Sequence, residues 1–211
     1  MTQKVPLTKG VFATVSDADY HRILAVGSWC LTNTGYAVHW YSDPQTGKRK
    51  ALYMHRFILD APPNLQVDHI DRNRLNNTHE NLRYATRSQN QGNKGIQSNN
   101  SSRYKGVVWN QGKWEARIYY ARKKLHLGRF ESAERAALHY DAAARLLFGD
   151  FAAENFPERE TLPDVERAVR TRIAIIAQKR GLEAFFISDV KVTECLPETP
   201  HIESWSHTDR S

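Results

Sequence analysis

The sequence has little cysteine and no long apolar run. Only two of its 211 residues are cysteines, Cys30 and Cys195, and they lie far apart without a CxxC pair. Two isolated thiols exclude a thiolate zinc knuckle and are typical of a reducing compartment. No apolar run approaches the roughly 20 residues that span a bilayer, and the first ten residues lack the apolar stretch of a signal peptide. We therefore expect a soluble, cytoplasmic protein with no membrane partner.

Acidic residues are scarce in the middle of the chain. Overall, 30 basic and 23 acidic residues give a net charge of +7 and a pI near 9.5. Residues 83–130 contain eleven Lys or Arg and one acid, Glu115, whereas residues 150–211 contain twelve acids and eight bases. A charge run alone is more typical of a solvated face. Here the bases alternate with aromatic residues, which indicates a surface that grips a nucleic-acid backbone.

The first 60 residues predict a small β-rich unit. Short apolar or aromatic runs, the last of them KALYMHRFIL at 50–59, alternate with turn signals at 33–35 (NTG) and 43–47 (DPQTG). A break at 61–64 (APPN) separates this unit from the segment that follows. We expect the unit to buttress that segment rather than to contact a ligand.

Residues 103–130 predict three strands. In 113–120 (KWEARIYY) and 123–130 (KKLHLGRF), apolar and polar residues alternate, which indicates one buried and one solvated face. The solvated face is basic and aromatic. Before these strands, residues 96–102 (IQSNNSS) are polar, small and uncharged, as a linker would be.

Two helices are predicted after the strands. The first covers 132–148, with Ser132 as its N-cap, an alanine-rich apolar stripe and a stop at Gly149. The second covers 163–179, begins with a proline and ends before Gly181. The alanine stripe indicates that the first helix lies close against the sheet.

Four polar residues lie within a predicted strand–loop–strand–helix segment. Asp68 and His69 end a predicted strand (LQVDHI), Asn81 follows His69 by twelve residues, and Asn90 follows Asn81 by nine. Residues 86–89 (TRSQ) have the T-x-x-Q pattern of a capping box, so a helix should start there. Asn90 then lies in the first turn of that helix and points back toward the strands. The spacing predicts two oxygen ligands, from Asp68 and Asn90, that face each other.

The segments VDHID, LNN, ENLR and TRSQN resemble the HNH endonuclease family, in the branch shared with phage and intron homing enzymes, over roughly residues 50–94. The resemblance implies that Asp68 and Asn90 bind a divalent metal. It also implies that His69 is the general base, and that Asn81 is a structural residue that holds His69 in place. His55 also recurs in such proteins, and we assign it no role.

The chemistry of phosphodiester hydrolysis agrees with those roles. Histidine titrates near neutrality and can accept a proton from water. Carboxylate and amide oxygens are hard ligands, which favours Mg²⁺ or Mn²⁺ over Zn²⁺. Some relatives carry histidine at the positions of Asn90 and Lys94, so Asn and Lys argue against tight zinc binding. Lys94 is instead a candidate phosphate contact.

Residues 103–157 (RYKGVVW to AAENFP) resemble the AP2/ERF DNA-binding domain, in which a three-stranded sheet enters the major groove. Two departures mean that the base specificity of plant members is not transferred. Val108 stands where plant relatives use arginine, and the first turn, 109–112, is shorter. The residues at the family's DNA-contact positions are Lys105, Gly106, Arg117, Tyr119, Lys124 and His126.

We therefore expect an α+β chain that acts as a metal-dependent nuclease on double-stranded DNA. We expect a monomer in a bacterial or phage-infected cell, encoded by a mobile element. The alternative is a DNA-binding transcription regulator with an inactive nuclease fold, which the intact four-residue pattern opposes. An RNA-directed enzyme fits less well, because the AP2 likeness indicates duplex DNA. The expected parts are a β-rich N-terminal unit (1–60), a ββα-metal HNH motif (61–95), a linker (96–102), an AP2/ERF domain (103–157), and a helix with a polar tail (158–211).

Overall fold

The computed structural model describes residues 1–98 and 100–180. They form a mixed α+β fold of several small sheets and short helices, as the sequence predicts. In chain order the elements are β1 (Thr2–Pro6), β2 (Phe12–Ser16), α1 (Asp17–Val26), β3 (Cys30–Leu31), β4 (Ala37–Ser42), β5 (Arg49–Tyr53), α2 (Met54–Ile58), β6 (Gln66–His69), β7 (Asn76–Asn77), β8 (Leu82–Ala85), α3 (Arg87–Gly92), β9 (Val107–Asn110), β10 (Lys113–Tyr120), β11 (Lys123–Phe130), α4 (Ala133–Phe148) and α5 (Pro163–Arg180).

The N-terminal strands are joined to the segment that carries the candidate site. Strand β7 lies in the loop after β6 and pairs in parallel with β2, so the sheet order is β1-β2-β7. A single hydrophobic core spans both parts. The N-terminal part therefore supports the β6–β8 strand pair, as expected. The core members include Val5, Ala13, Val15, Ile23, Met54, Ile58, Val67 and Leu82.

The N-terminal part, residues 1–60, contains helices in segments that were predicted to be strand or loop. Residues 17–26 form α1, whose first turn carries Asp17 and Asp19. Negative charges near a helix N-terminus stabilise it through the helix dipole. The run 50–59 is divided between strand β5 and helix α2. A β-rich description of this part is therefore incomplete.

The strands and helix predicted after residue 103 are present. Strands β9, β10 and β11 form an antiparallel sheet in the order β11-β10-β9, and α4 packs across it. The Ser132 side chain accepts a hydrogen bond from Arg135 N at the start of α4, and Gly149 ends the helix with φ +52°. We call residues 103–157, which contain this sheet and helix, the sheet–helix unit. Its buried faces include the predicted residues Ala116, Ile118, Leu125, Ala136, Ala137, Tyr140, Ala143, Ala144 and Leu147.

Helix α5 covers the edge of this sheet. Its apolar residues, among them Val165, Val169 and Ile173, join the core of the sheet–helix unit. On its other side, Arg172 Nε donates to the carbonyl of His126 and Arg180 Nη1 to that of Lys124. These contacts satisfy carbonyls on the otherwise open edge of β11. The predicted second helix is thus confirmed, whereas the polar tail, Gly181 and Cys195 lie outside the described residues.

The segment expected to be a linker is tied to the sheet. The Ser102 hydroxyl is buried and donates to the carbonyl of Val107 at 2.8 Å. Asn100 Nδ2 donates to the carbonyl of Tyr104 at 2.8 Å.

Within the described part of the chain, none of the helices is long and apolar enough to cross a bilayer.

Candidate active site

The candidate site is built on a two-stranded sheet followed by a capped helix. Strands β6 and β8 pair antiparallel, with Asp68 opposite Arg83 and His69 opposite Leu82. Helix α3 follows at once, and the predicted capping box closes its start: the Thr86 side chain accepts from Gln89 N, and the Gln89 side chain accepts from Thr86 N. The strand–loop–strand–helix segment predicted from the sequence is confirmed.

Asn81 fixes the loop between the strands. Its Oδ1 accepts from Asp71 N at 2.9 Å. Its Nδ2 donates to Asp71 Oδ1 at 2.9 Å and to the carbonyl of Asn76 at 2.7 Å. Three bonds from one buried side chain hold both ends of the loop, which is a structural role. Asn81 nevertheless has no direct bond to His69 among the contacts that the structure describes.

The hydrogen-bond partner of His69 is Asn77, which is not among the site residues predicted from the sequence. His69 Nε2 lies 3.2 Å from Asn77 Oδ1. Asn77 is almost fully buried, and its Nδ2 donates to the carbonyl of Arg74, which orients the amide. An amide oxygen only accepts, so the proton of a neutral His69 lies on Nε2 and Nδ1 is the basic nitrogen. Burial lowers the pKa of His69, so it is neutral at pH 7.

Aromatic rings wall off one side of His69. The ring centroid of His55 lies 5.2 Å from that of His69, and Tyr36 lies 5.2 Å from His55 and 6.1 Å from His69. Burial, followed by the nearby His69 and Arg56, lowers the pKa of His55 to about 3. His55 Nδ1 is buried without a hydrogen-bond partner among the described residues. These rings cover one face of the His69 imidazole.

Asp68 is buried and has two partners. Its Oδ2 accepts from Arg83 Nε at 3.0 Å, and Arg83 Nη2 lies 2.9 Å from the same oxygen. Asn93 Nδ2 lies 2.9 and 3.0 Å from the two carboxylate oxygens and donates to the carbonyl of His69 at 2.7 Å. Burying a carboxylate costs free energy, which such charged and polar partners offset.

Asn90, predicted to face Asp68, contacts Gln66, and Asn93 is the asparagine that contacts the Asp68 carboxylate. Asn90 Nδ2 donates to Gln66 Oε1 at 2.7 Å. Gln66 and Asp68 lie on one face of β6. Asn90 and Asn93, which are about one helical turn apart, therefore contact Gln66 and Asp68 respectively. The register places Asn93, just after α3, at the carboxylate. Asn90 stays a predicted metal ligand.

The side chains at and near Asp68 carry oxygen atoms of the kind that a hard divalent cation binds. Asp68 supplies a carboxylate, and Asn90 and Asn93 carry amide oxygens, while the amide nitrogen of each makes the hydrogen bonds described above. Over residues 1–98 and 100–180, no three His, Cys, Asp or Glu side chains form a metal-binding cluster. A single carboxylate with amide neighbours suits Mg²⁺ or Mn²⁺, which keep several waters, better than a dedicated zinc cage. Lys94 is exposed directly after this cluster.

The outer face of the sheet–helix unit carries four of the six predicted DNA contacts. Tyr119 is 60% exposed and Lys124 is also exposed, whereas Arg117 is half-buried. His126 is half-buried, and its Nδ1 lies 3.3 Å from Arg172 Nη2. Glu115, expected on the solvated face, is buried and accepts a hydrogen bond from Asn110.

The other two predicted DNA contacts, Lys105 and Gly106, are half-buried and pack against α3 and α4 respectively. Lys105 Nζ donates to the carbonyl of Gly92 at 2.5 Å, and burial lowers its pKa to about 8. Gly106 has φ +73°, and a Cβ there would lie 2.0 Å from Tyr140 Cδ2. In this structure the Lys105 side chain is not on the outer face, and close packing against Tyr140 explains the glycine.

This arrangement around Asp68 and His69 is the one expected of an HNH-class endonuclease, and comparison with known proteins agrees. A family model described as HNH endonuclease matches residues 60–91. The chain is also 37% identical over 154 residues to an uncharacterized HNH endonuclease of Acanthamoeba polyphaga mimivirus, a match that covers 70% of this chain and 76% of the viral protein. The chain belongs to the HNH endonuclease family.

A shorter part of the chain is similar to plant proteins. An AP2/ERF and B3 domain-containing protein of Oryza sativa subsp. japonica is 50% identical over 58 residues, which are 27% of this chain and 16% of the rice protein. Dehydration-responsive element-binding protein 2D of Arabidopsis thaliana is 46% identical over 70 residues, or 31% of this chain and 33% of that protein. The match thus spans at most a third of either plant protein.

Proposed function

We propose that this protein is a metal-dependent endonuclease that hydrolyses phosphodiester bonds in double-stranded DNA. The observation that carries the proposal is a buried His69, held at Nε2 by Asn77, next to the Asp68 carboxylate at the end of one strand. A neutral imidazole can accept a proton from water at pH 7. The adjacent carboxylate supplies the ligand that a hard cation requires.

Each residue of the site has a distinct task. His69 removes a proton from the attacking water through Nδ1, because Asn77 occupies the other ring nitrogen. Asn81 keeps the loop in shape, so that His69 and Asp68 stay at the strand end. The wall formed by Tyr36 and the uncharged His55 limits the access of bulk water to His69.

The cation of the proposal is Mg²⁺ or Mn²⁺. When bound, it supplies charge stabilisation at phosphorus and at the leaving oxygen. Asp68 would be its carboxylate ligand, and the amide oxygens of Asn90 and Asn93 would be the neighbouring ligands. Lys94 follows directly in the chain and is a candidate contact for a DNA phosphate.

The sheet–helix unit is the proposed DNA-binding part. Its outer face presents Arg117, Tyr119 and Lys124, which suit contacts to phosphates and base edges. A small nuclease site has little surface for recognition, so an attached DNA-binding unit raises its local concentration at a target. The name of the rice relative, which includes an AP2/ERF domain, supports this assignment. A monomeric state and a mobile-element role stay predictions.

A supercoiled-plasmid assay tests the proposal. We expect nicking or linearisation in Mg²⁺ or Mn²⁺ and none in EDTA. DNA retention in a gel-shift assay without cleavage in either metal, on several DNA substrates, would contradict the proposal. That result would favour the DNA-binding regulator with an inactive nuclease fold.

A further inference from the structure

Arg83 connects the candidate active site to the sheet–helix unit. One side of its guanidinium contacts Asp68, as described above. On the other side, Nη1 donates to the backbone carbonyl of Asp150 at 3.0 Å. The guanidinium carbon also lies 3.7 Å from the centroid of the Phe151 ring. One side chain therefore joins a proposed metal ligand to the turn that follows α4.

The end of helix α3 is held from the same direction. The carbonyl of Gly92 accepts from Ala153 N at 3.1 Å and from Lys105 Nζ at 2.5 Å. A Cβ at Gly92 would lie 2.6 Å from Cγ of Phe148, so the helix end fits against α4 without room for a side chain. The next residue is Asn93, the second partner of Asp68. Both groups that hold Asp68 are thus fixed by the sheet–helix unit.

These contacts matter because Asp68 is buried. Its carboxylate depends on the orientation of a few partners, since water cannot replace them. A guanidinium that forms paired bonds to a carboxylate is held more firmly when it also stacks on an aromatic face. The Phe151 ring and the Asp150 carbonyl supply that second anchor. Partners that orient a metal ligand influence both metal affinity and activity.

We infer that Arg83 is a positioning residue for Asp68, and that residues 148–153 of the sheet–helix unit are a structural part of the nuclease centre. The inference rests on the proposed nuclease function. Under it, the sheet–helix unit does more than tether the nuclease to DNA. Loosening its contact with Arg83 impairs the centre while DNA binding is retained.

The test uses the full chain with three substitutions of partly buried rings. Phe151→Ala removes the ring beneath Arg83, and Phe151→Tyr keeps an aromatic face. Phe156→Ala is the matched control, because this ring packs 5.5 Å from Tyr104 and contacts Arg159 instead of Arg83. The readouts are Mn²⁺ affinity by calorimetry, DNA affinity in EDTA, and the single-turnover cleavage rate.

Phe151→Ala should weaken Mn²⁺ binding and slow cleavage about tenfold, with DNA affinity within about twofold of wild type. Phe151→Tyr should behave as wild type, and Phe156→Ala should keep wild-type Mn²⁺ affinity. Unchanged or tighter Mn²⁺ binding in Phe151→Ala overturns the inference, as do equal losses in both alanine variants. Mn²⁺ binding without any cleavage by the wild type contradicts the proposed function instead.

A second measurement needs neither metal nor cleavage. In metal-free buffer, a double-mutant cycle of Asp68→Asn and Phe151→Ala compares the free energies of unfolding. The two side chains interact through Arg83, so we expect non-additive effects. Additive effects would overturn the inference, whether or not the wild type cuts DNA.

Discussion

Asn77 Oδ1 lies 3.2 Å from His69 Nε2, and the amide that makes this contact is almost fully buried. This relationship sets which nitrogen of the histidine is basic. It also gives a task to an asparagine that lies four residues before the Asn81 of the family pattern. Within the loop, Asn81 thus helps to hold the loop conformation and Asn77 contacts the imidazole of His69.

Asn77→Ala should slow cleavage by about tenfold or more, because the imidazole loses the bond that fixes its tautomer and orientation. Asn77→Asp retains an acceptor oxygen and should keep more activity at pH 8. Single-turnover cleavage rates with matched thermal melts check this. Equal rates for both variants would contradict the assigned role of the Oδ1 contact.

Asn93→Asp should make thermal stability depend on metal. The new carboxylate would lie beside that of Asp68, where the two charges repel until a divalent cation binds. We expect a rise in Tm of several degrees on addition of Mn²⁺. Asn90→Asp is the comparison: its amide contacts the neutral Gln66, so the new carboxylate meets no like charge there and the Tm in metal-free buffer should fall less than in Asn93→Asp. Equal losses of Tm in metal-free buffer would remove the distinction between the two asparagines.

Arg117→Ala should weaken DNA binding and lower the slope of log affinity against log salt by about one. Lys105→Ala removes the same charge, but this ammonium is bonded to the carbonyl of Gly92. We therefore expect Lys105→Ala to leave the salt slope unchanged. Fluorescence anisotropy over a range of salt concentrations measures both slopes. A lower slope in Lys105→Ala alone would reverse the two assignments.

Gly106→Ala should destabilise the protein by about 1–3 kcal/mol more than Gly112→Ala. Both glycines have positive φ, +73° and +76°, so the backbone strain of an alanine is similar at the two positions. They differ in space: a Cβ at Gly106 meets Tyr140, whereas nothing lies within 4 Å of one at Gly112. Urea unfolding of the two variants gives the comparison, and equal stabilities would argue against the clash.

Local patterns predicted the strands and helix ends well. The alternation in β10 and β11 and the capping residues Thr86 and Ser132 depend on neighbours in sequence, and the structure confirms them except at the buried Glu115. Helix α1 was missed because it starts directly after a strand, and Ile23 is its only fully buried apolar residue. So short an apolar stripe gives a weak helical signal.

Relationships between distant segments were not predictable in the same way. Asn93 rather than Asn90 contacts Asp68 because of how the six-residue helix α3 packs against β6. The contact between Gly92 and Phe148 helps to fix that packing. Residues 96–102 have the composition of a linker, yet a buried hydrogen bond from Ser102 joins the end of this segment to the sheet. Composition describes local preference, whereas these contacts are tertiary.

The most direct test of the central claim compares wild type and His69→Ala on supercoiled plasmid in Mg²⁺ or Mn²⁺, with gel-shift binding measured in parallel. Loss of the general base should reduce cleavage by about 10²–10⁴-fold, while DNA affinity stays near that of the wild type, since the proposed DNA contacts lie on the sheet–helix unit. Metal-dependent cleavage that persists in His69→Ala would contradict the account.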